Sequence, residues 1–315
     1  MFPFSFASGL ALGLAMGNSD SPYLFGPAIA AQAIRFRQAL LLSALFIVVG
    51  ALVGGEASVK TLSDLGRHTL NAAVLASLAA ALCVFAASLL GFSPSVSQCI
   101  VGAIIGLSLI KGETNLPGLS KILLSWLTTP LAGALAALLL QPLLHWFFNR
   151  LKVNIFTLDK LLRTSLILGS CYAAFALGAN NSANALAIFV ASGTLSPATA
   201  TLGGSLSMAA GVFITSRELL YRKVGKLIPL DSFTALVSIL AEGLAVHFFS
   251  IIGVPVSSGQ ALSGALLGLG LYYGMQTISY KSLIKILLTW LLLPLSSGLL
   301  AALLALLVNL SNMAS

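Results

Sequence analysis

Residues 121–140 have the sequence KILLSWLTTPLAGALAALLL, and residues 285–304 repeat it as KILLTWLLLPLSSGLLAALL. The leading lysine, a tryptophan and a proline recur at the same places, 164 residues apart. Each copy is apolar and about 20 residues long, which is the length that a helix needs to cross the ~30 Å hydrocarbon core of a bilayer. The pair therefore predicts membrane-spanning helices that occur once in each half of the chain.

Two further pairs of segments extend the repeat toward the N-terminus. SPSVSQCIVGAIIG (93–106) matches PVSSGQALSGALLG (255–268) at an offset of 162 residues, and GNSDSPYLFG (17–26) aligns with GANNSANALA (178–187) at an offset of 161. Steady offsets in three separate blocks indicate an internal duplication.

The duplication predicts an N-terminal repeat, residues 1–150, and a C-terminal repeat, residues 151–315. Each half contains five apolar stretches, and an odd number of crossings inverts the second half relative to the first. We expect an all-α polytopic membrane protein with two inverted repeats of about five membrane segments each and with broken or re-entrant helices. The ten apolar stretches lie near residues 5–31, 39–54, 69–91, 96–110, 122–148, 164–190, 199–215, 232–252, 257–273 and 286–310.

The composition of the chain excludes a water-soluble domain. Of the 315 residues, 58% are apolar and only 8% are charged, against roughly 25% charged residues in an average soluble domain. The net charge of +8 arises from basic residues in the short gaps between apolar runs, as in membrane proteins. A nucleic-acid-binding surface is therefore not expected.

The basic residues predict the orientation in the membrane. If all ten stretches cross, the gaps after the first, fifth, seventh and ninth stretches hold twelve lysine and arginine residues, and the other gaps hold four. Cytoplasmic loops carry the excess of Lys and Arg. We therefore expect both termini outside the cytoplasm, in a multi-pass protein of the plasma membrane.

Two polar segments interrupt apolar runs at equivalent places, GNSDSP (17–22) and GANNSAN (178–184). Polar backbone at membrane depth is tolerated where it lines a cavity or is buried in protein, and half-helix ends there bind ions in transporters. Asp20 is an intramembrane carboxylate, which favours a cation or proton site. Glu242 is a second acid inside an apolar run. It has either a role in coupling or no role in transport.

A second pair of polar segments follows a proline in each half. Ser95, Ser97 and Gln98 precede one apolar helix, and Ser257, Ser258 and Gln260 precede its counterpart. Their hydroxyls and carboxamides are neutral donors to an oxyanion, but serine at a helix start also caps the helix. Both interpretations stay open at this point.

These segments resemble the signatures of the inorganic phosphate transporter family, including its members that are sulfate permeases. GANNSANA (178–185) is similar to the family's G-A-N-D-V-A-N-A, and GNSDSPYL (17–24) is a more divergent copy. PVSSGQ (255–260) and SPSVSQ (93–98) resemble its P-V-S-T-T-H, and GALVGGEASVKTL (50–62) is also similar to the family.

The resemblance implies a cation-coupled oxyanion symporter that works by alternating access, as a homodimer, with no organic cofactor. It implies that the coupling ion, sodium or a proton, involves Asp20 and Asn181, with Asp20 as the acidic sodium ligand; Glu242 is a further coupling candidate because it is an acid inside an apolar run. It also implies that the substrate-binding residues are Ser19, Asn180, Asn184, Ser95, Ser97, Gln98, Ser257, Ser258 and Gln260.

The chain departs from the family pattern at three site positions. Asn181 stands in place of a signature acid, and Gln98 and Gln260 stand in place of histidine. Histidine is the side chain that titrates near neutral pH, so sodium and proton coupling both remain open. A protonated phosphate can donate to a carboxylate whereas sulfate only accepts, so fewer acids favour sulfate and the retained Asp20 favours phosphate.

We expect transport of inorganic phosphate, with a sulfate permease or an uncoupled oxyanion channel as alternatives. An enzyme would need a nucleophile with a base or a metal set, and the sequence has no such cluster or motif.

Overall fold

The computed structural model is all helical in the residues that it describes, which are 5–65, 69–90, 92, 94–111, 115–224, 231–274 and 280–314. Ser93, the first residue of one repeated block, lies outside them. The helices are α1 (Ala7–Ala30), α2 (Phe36–Gly54), α3 (Glu56–Ser63), α4 (Leu70–Leu89), α5 (Val96–Lys111), α6 (Leu116–Arg150), α7 (Ile155–Asn181), α8 (Ala187–Ala191), α9 (Pro197–Val212), α10 (Arg217–Val224), α11 (Ser232–Ile252), α12 (Ser258–Tyr273) and α13 (Tyr280–Ala314).

Six stretches of helix are long and apolar enough to cross a bilayer, within the described part of the chain. They are Phe36–Gly54, Leu70–Leu89, Leu116–Arg150, Ile155–Ala185, Ser232–Ile252 and Leu287–Val308. Leucines cover their outer faces because lipid, not water, is the solvent there. The predicted all-α polytopic membrane fold is confirmed.

Side-chain caps mark where several helices begin. Asn115, Asn154, Ser196 and Asp231 each accept a hydrogen bond from a backbone N–H in the first turn of the following helix. The first N–H groups of a helix have no partner within it, and such caps satisfy them.

The predicted break in the first apolar stretch is wrong, because α1 stays helical through residues 17–22. Pro22 removes the N–H that would bond to the carbonyl four residues earlier, which belongs to Asn18. The hydroxyl of Thr215 donates to that carbonyl instead, at 3.3 Å. A neighbouring side chain thus replaces the missing donor, and the helix continues.

The predicted break in the second half is confirmed. Helix α7 ends at Asn181, a 3₁₀ turn follows over Ser182–Ala185, and the short α8 comes next. All the residues of this turn are buried.

Close backbone contacts at the glycines follow the sequence repeat. A Cβ at Gly17 would collide with the carbonyl oxygen of Met208, and a Cβ at Gly178 would collide with that of Ile47. The two contacts correspond at an offset of 161 residues. This offset relates residues 17–26, the first signature segment, to residues 178–187, the second signature segment. The absence of a side chain lets these helices approach closely, as small residues do in membrane proteins.

Equivalent glycines also make equivalent contacts where α5 packs on α13 and where α12 packs on α6. Gly102 packs on the carbonyl of Pro294, and Gly264 packs on that of Pro130. Each of these contacts joins a helix of one half to a helix of the other. Helices of the two halves therefore pack against each other throughout these contacts. The division of the chain at residue 150 stays a prediction from the sequence repeat.

Two contacts bring three of the basic gaps to the same end of the bundle. The Arg163 guanidinium donates to the carbonyl oxygen of Gln32 at 2.7 Å. Arg217 lies 5.3 Å from the ring centroid of Phe36. The gap after α1, the start of α7 and the start of α10 thus lie together, which fits the predicted segregation of charge.

Candidate functional site

Asn180 fastens the end of α7 to the segment before α12. Its Nδ2 donates to the carbonyl of Val254 at 2.9 Å, and its Oδ1 accepts from the backbone N–H of Val256 at 2.8 Å. Both ends of the carboxamide are used, and the residue is fully buried. The contacts give Asn180 a positioning role, and its predicted contact with substrate stays a prediction.

Ser97 is the centre of a buried polar cluster, which we define as Ser97, Asn181, Asn184 and the Val256 carbonyl. The Ser97 hydroxyl lies 3.1 Å from the Val256 carbonyl and 3.3 Å from Asn181 Oδ1, both acceptors. It accepts from Asn184 Nδ2 at 2.8 Å. Ser97 therefore meets two predicted site residues that are 84 and 87 residues away in sequence.

The first signature segment reaches the same region from α1. Ser19 Oγ donates to the carbonyl of Pro94 at 3.5 Å, next to the start of α5. Ser21 shares a 2.6 Å hydrogen bond with Thr215. Asp20, between them, is only 6% exposed. Hydrogen bonds thereby connect this segment to the residues just before α5 and to those just after α9.

Asp20 and Glu242 lie on α1 and α11, two helices that contact each other, and the Asp20 carboxylate acts electrostatically on Glu242. Glu242 is 1% exposed, on α11, and its Oε2 has no hydrogen-bond partner among the described residues. A buried carboxyl group at membrane depth is costly unless a cation or a proton neutralises its charge. This pair is therefore the part of the site suited to a cation.

The serines at the two helix starts act as caps. Ser95 Oγ accepts from the backbone N–H of Gln98, and Ser257 Oγ accepts from that of Gln260, each at 3.4 Å. Capping is thus observed, and an additional role toward an anion stays a prediction. Ser258 is buried, and its hydroxyl has no partner in the described structure.

Several buried carboxamide oxygens also have no partner in the described residues, namely those of Gln98, Asn184 and Gln260. Buried polar groups are nearly always hydrogen-bonded, so such atoms mark places for a ligand or an ion. Oxygen ligands of this kind suit hard cations. No group of three or more His, Cys, Asp or Glu residues that could hold a metal ion occurs in the described part of the chain.

The sequence analysis missed Thr215 and the backbone of residues 254–256. Thr215 completes the hydrogen bonding of α1, and Val254 and Val256 supply the peptide groups that the second signature segment binds. Because Pro22 leaves the Asn18 carbonyl without its helical donor, the sequence indicates that another donor lies nearby. It does not indicate which residue supplies that donor.

Comparison with known sequences decides the family. The profile of the phosphate transporter family matches residues 16–301 of this chain. The chain belongs to this family. It is a transporter and not an enzyme, and the matched range includes both signature segments and both acids.

Relatives of this family member include proteins named for different anions. It is 25% identical over 279 residues to a candidate phosphate permease of Methanocaldococcus jannaschii, covering 89% of this chain and 88% of that protein. It is 28% identical over 288 residues to the sulfate permease CysP of Bacillus subtilis, covering 89% and 80% respectively.

A solved structure shares the fold of this family member. A protein described as the sodium-dependent phosphate transporter superposes with a TM-score of 0.88 over 97% of this chain and 98% of its own. The identity is 21%, so the likeness shows the fold alone.

Proposed function

We propose that this protein is a secondary active transporter that moves inorganic phosphate across the plasma membrane together with a cation, by alternating access. The observation that carries the proposal is the buried polar cluster around Ser97. It joins the second signature segment to the starts of α5 and α12 inside a bundle of apolar helices. Buried, mostly neutral polar groups at broken helices are typical of transporter substrate sites.

The coupling cation binds near Asp20 and Glu242 in this proposal. Sodium would take oxygen ligands from Asp20 and from neighbouring carbonyl and hydroxyl groups. A proton would instead reside on one of the two carboxyl groups, which share a site that is costly for two negative charges. The solved relative's description as sodium-dependent favours sodium as the first candidate.

Alternating access follows from the proposed inverted repeats. Helices α1 and α7 are counterparts in the repeat, yet the turn after α1 contacts Arg163, near the start of α7. A contact between the end of one counterpart and the first part of the other is expected if the two helices run in opposite directions. Inverted repeats allow a fixed site to be exposed alternately on the two sides of the membrane.

Phosphate is the first candidate because the site offers acceptors as well as donors. Protonated phosphate can donate a hydrogen bond to the unpartnered oxygens of Asn184, Gln98 or Gln260, and sulfate cannot. Sulfate is the second candidate, and the similarity to CysP supports it. We also propose that the protein is a homodimer and that both of its termini lie outside the cytoplasm.

The test is uptake of radiolabelled phosphate and of radiolabelled sulfate into proteoliposomes under an imposed sodium gradient or proton gradient. We expect phosphate accumulation driven by sodium. Proton-driven accumulation of sulfate alone would mean that the substrate is sulfate and the coupling ion is a proton. Equilibration of the anion without accumulation would indicate a channel.

Glu242→Gln separates the two kinds of coupling. The change keeps the shape of the side chain and removes its ability to carry a proton. If the ion is sodium with Asp20 as its acidic ligand, and Glu242 is not a ligand, we expect sodium-driven uptake to fall less than about threefold. Complete loss of uptake, with the protein still folded, would assign the coupling ion to Glu242.

A further inference from the structure

An apolar cleft of about 800 Å³ lies between α5, the first half of α6 and α13. Gln98, Gln260, Trp126 and Trp290 are part of its wall, and the other lining residues are Leu, Ile, Ala, Gly and Pro. None of the lining residues is charged. The volume is within the range of sites that bind organic ligands.

The cleft is not suited to a hydrated anion. Cavities lined by leucine and isoleucine stay dry, and a dianion would lose its water there without a charged or donor-rich lining in return. An empty space of this size is equally unfavourable, because the lining atoms lose their dispersion contacts. Hydrocarbon is the filling that costs least.

The mouth of the cleft faces the lipid. Leu127, Leu291 and Leu299 line it and are between 63% and 72% exposed. They lie on α6 and α13, each of which includes a stretch long and apolar enough to span the bilayer. Acyl chains of the membrane are therefore the molecules in contact with this mouth.

We propose that one acyl chain of a membrane phospholipid occupies this cleft. The chain enters tail first, because the uncharged lining has no partner for a charged headgroup, and its end stops short of the polar carboxamides of Gln98 and Gln260. The occupied cleft adjoins α5, the helix that carries Ser97, and Gly102 and Gly106 hold α5 directly on the backbone of α13. A chain lodged there supports the helix that bears the centre of the polar cluster.

Tryptophan fluorescence tests the proposal independently of transport. Trp126 is only 8% exposed and lines the cleft. Trp146→Phe together with Trp290→Phe leaves Trp126 as the single tryptophan of the chain. In phosphatidylcholine vesicles whose acyl chains carry bromine, we expect its emission to fall at least about threefold relative to unbrominated vesicles. Unquenched emission would overturn the proposal, because bromine would then not reach the cleft.

Filling the cleft provides the matched control. In the single-tryptophan background, Leu127→Phe with Leu291→Phe narrows the mouth, whereas Leu131→Phe with Leu303→Phe adds the same bulk to exposed positions outside the cleft. We expect most of the bromine quenching to be lost in the first pair and retained in the second.

Equal quenching in both pairs would overturn the proposal, since Trp126 would then be reached from elsewhere. Quenching by a brominated free fatty acid but not by the brominated phospholipid would also overturn it, because the occupant would be a free amphiphile. Failure of phosphate uptake affects none of these results, so the proposal and the proposed function are tested separately.

Discussion

The two signature segments, residues 17–26 and 178–187, descend from one sequence but differ in local structure. The first stays inside the continuous helix α1 although it contains Pro22. The second has no proline, yet the helix stops at Asn181 and a 3₁₀ turn follows. The copy that contains the helix-breaking residue is therefore the one that does not break.

The difference shows that hydrogen-bond partners, rather than glycine and proline content, decide where these helices end. Thr215 supplies the donor that Pro22 lacks. In the second copy, Asn180, Asn181 and Asn184 bind groups outside their own helix, and such side chains compete with helical structure. Under the proposed function the two copies also divide the chemistry, because the first retains the acid and the second supplies the amides.

The largest effect is expected from Asp20→Asn, which removes the charge that distinguishes the first segment. Interactions with a charged group contribute about 1.5–3 kcal/mol, so we expect the rate of cation-driven phosphate uptake to fall about 100-fold. Stability should be retained, because the substitution keeps the shape and removes a repulsion with Glu242. Thermal unfolding of the purified protein is the control. Uptake at the unmodified rate with unchanged cation dependence would contradict the cation role.

Ser97→Ala tests the second segment and the cluster that it forms. The change removes the hydroxyl that bonds Asn181, Asn184 and the Val256 carbonyl, and unpartnered buried groups cost about 1–3 kcal/mol. We expect uptake to fall about tenfold and the unfolding temperature to fall by several degrees. Ser108→Ala is the matched control, because Ser108 is buried on the same helix and its hydroxyl has no partner in the described structure. Equal effects of the two changes would refute the special role of Ser97.

The sequence was sufficient to predict the all-helical membrane fold, because hydropathy and the repeat indicate the positions and the order of the apolar segments. It predicted Ser97 and Asn184 as members of one site, and the two side chains are hydrogen-bonded to each other; their binding of substrate stays a prediction. It could not predict that α1 is continuous, because this depends on Thr215, which is 193 residues from Pro22 in sequence. The carboxamide of Asn180 is bound by backbone groups of Val254 and Val256, and the side-chain sequence does not indicate which backbone groups are in reach.

Thr215→Val tests the donor that keeps the first segment helical. Valine has the same shape but cannot donate to the Asn18 carbonyl or pair with Ser21. We expect a loss of about 1–2 kcal/mol of stability, about threefold slower uptake and faster amide hydrogen exchange in residues 17–24. Thr201→Val is the control, since the Thr201 hydroxyl is buried without a partner in the described residues. Unchanged exchange in residues 17–24 would mean that α1 does not depend on this contact.

The smallest effect is expected from Asn181→Asp, which makes the second segment more like the first. Asn181 Oδ1 accepts from Ser97 and Asn184, and a carboxylate oxygen can accept both bonds, so the cluster should persist. The added charge should lower the sodium concentration for half-maximal uptake about threefold, which corresponds to about 0.7 kcal/mol.

Asn180→Asp provides the contrast at the neighbouring position. Asn180 must donate to the Val254 carbonyl, and a carboxylate there would face another oxygen, so the protein should unfold at a lower temperature. If Asn181→Asp left the sodium dependence unchanged while remaining folded, the second segment would not be a degenerate cation site. The division of chemistry between the two copies would then be complete, with cations bound by the first segment alone.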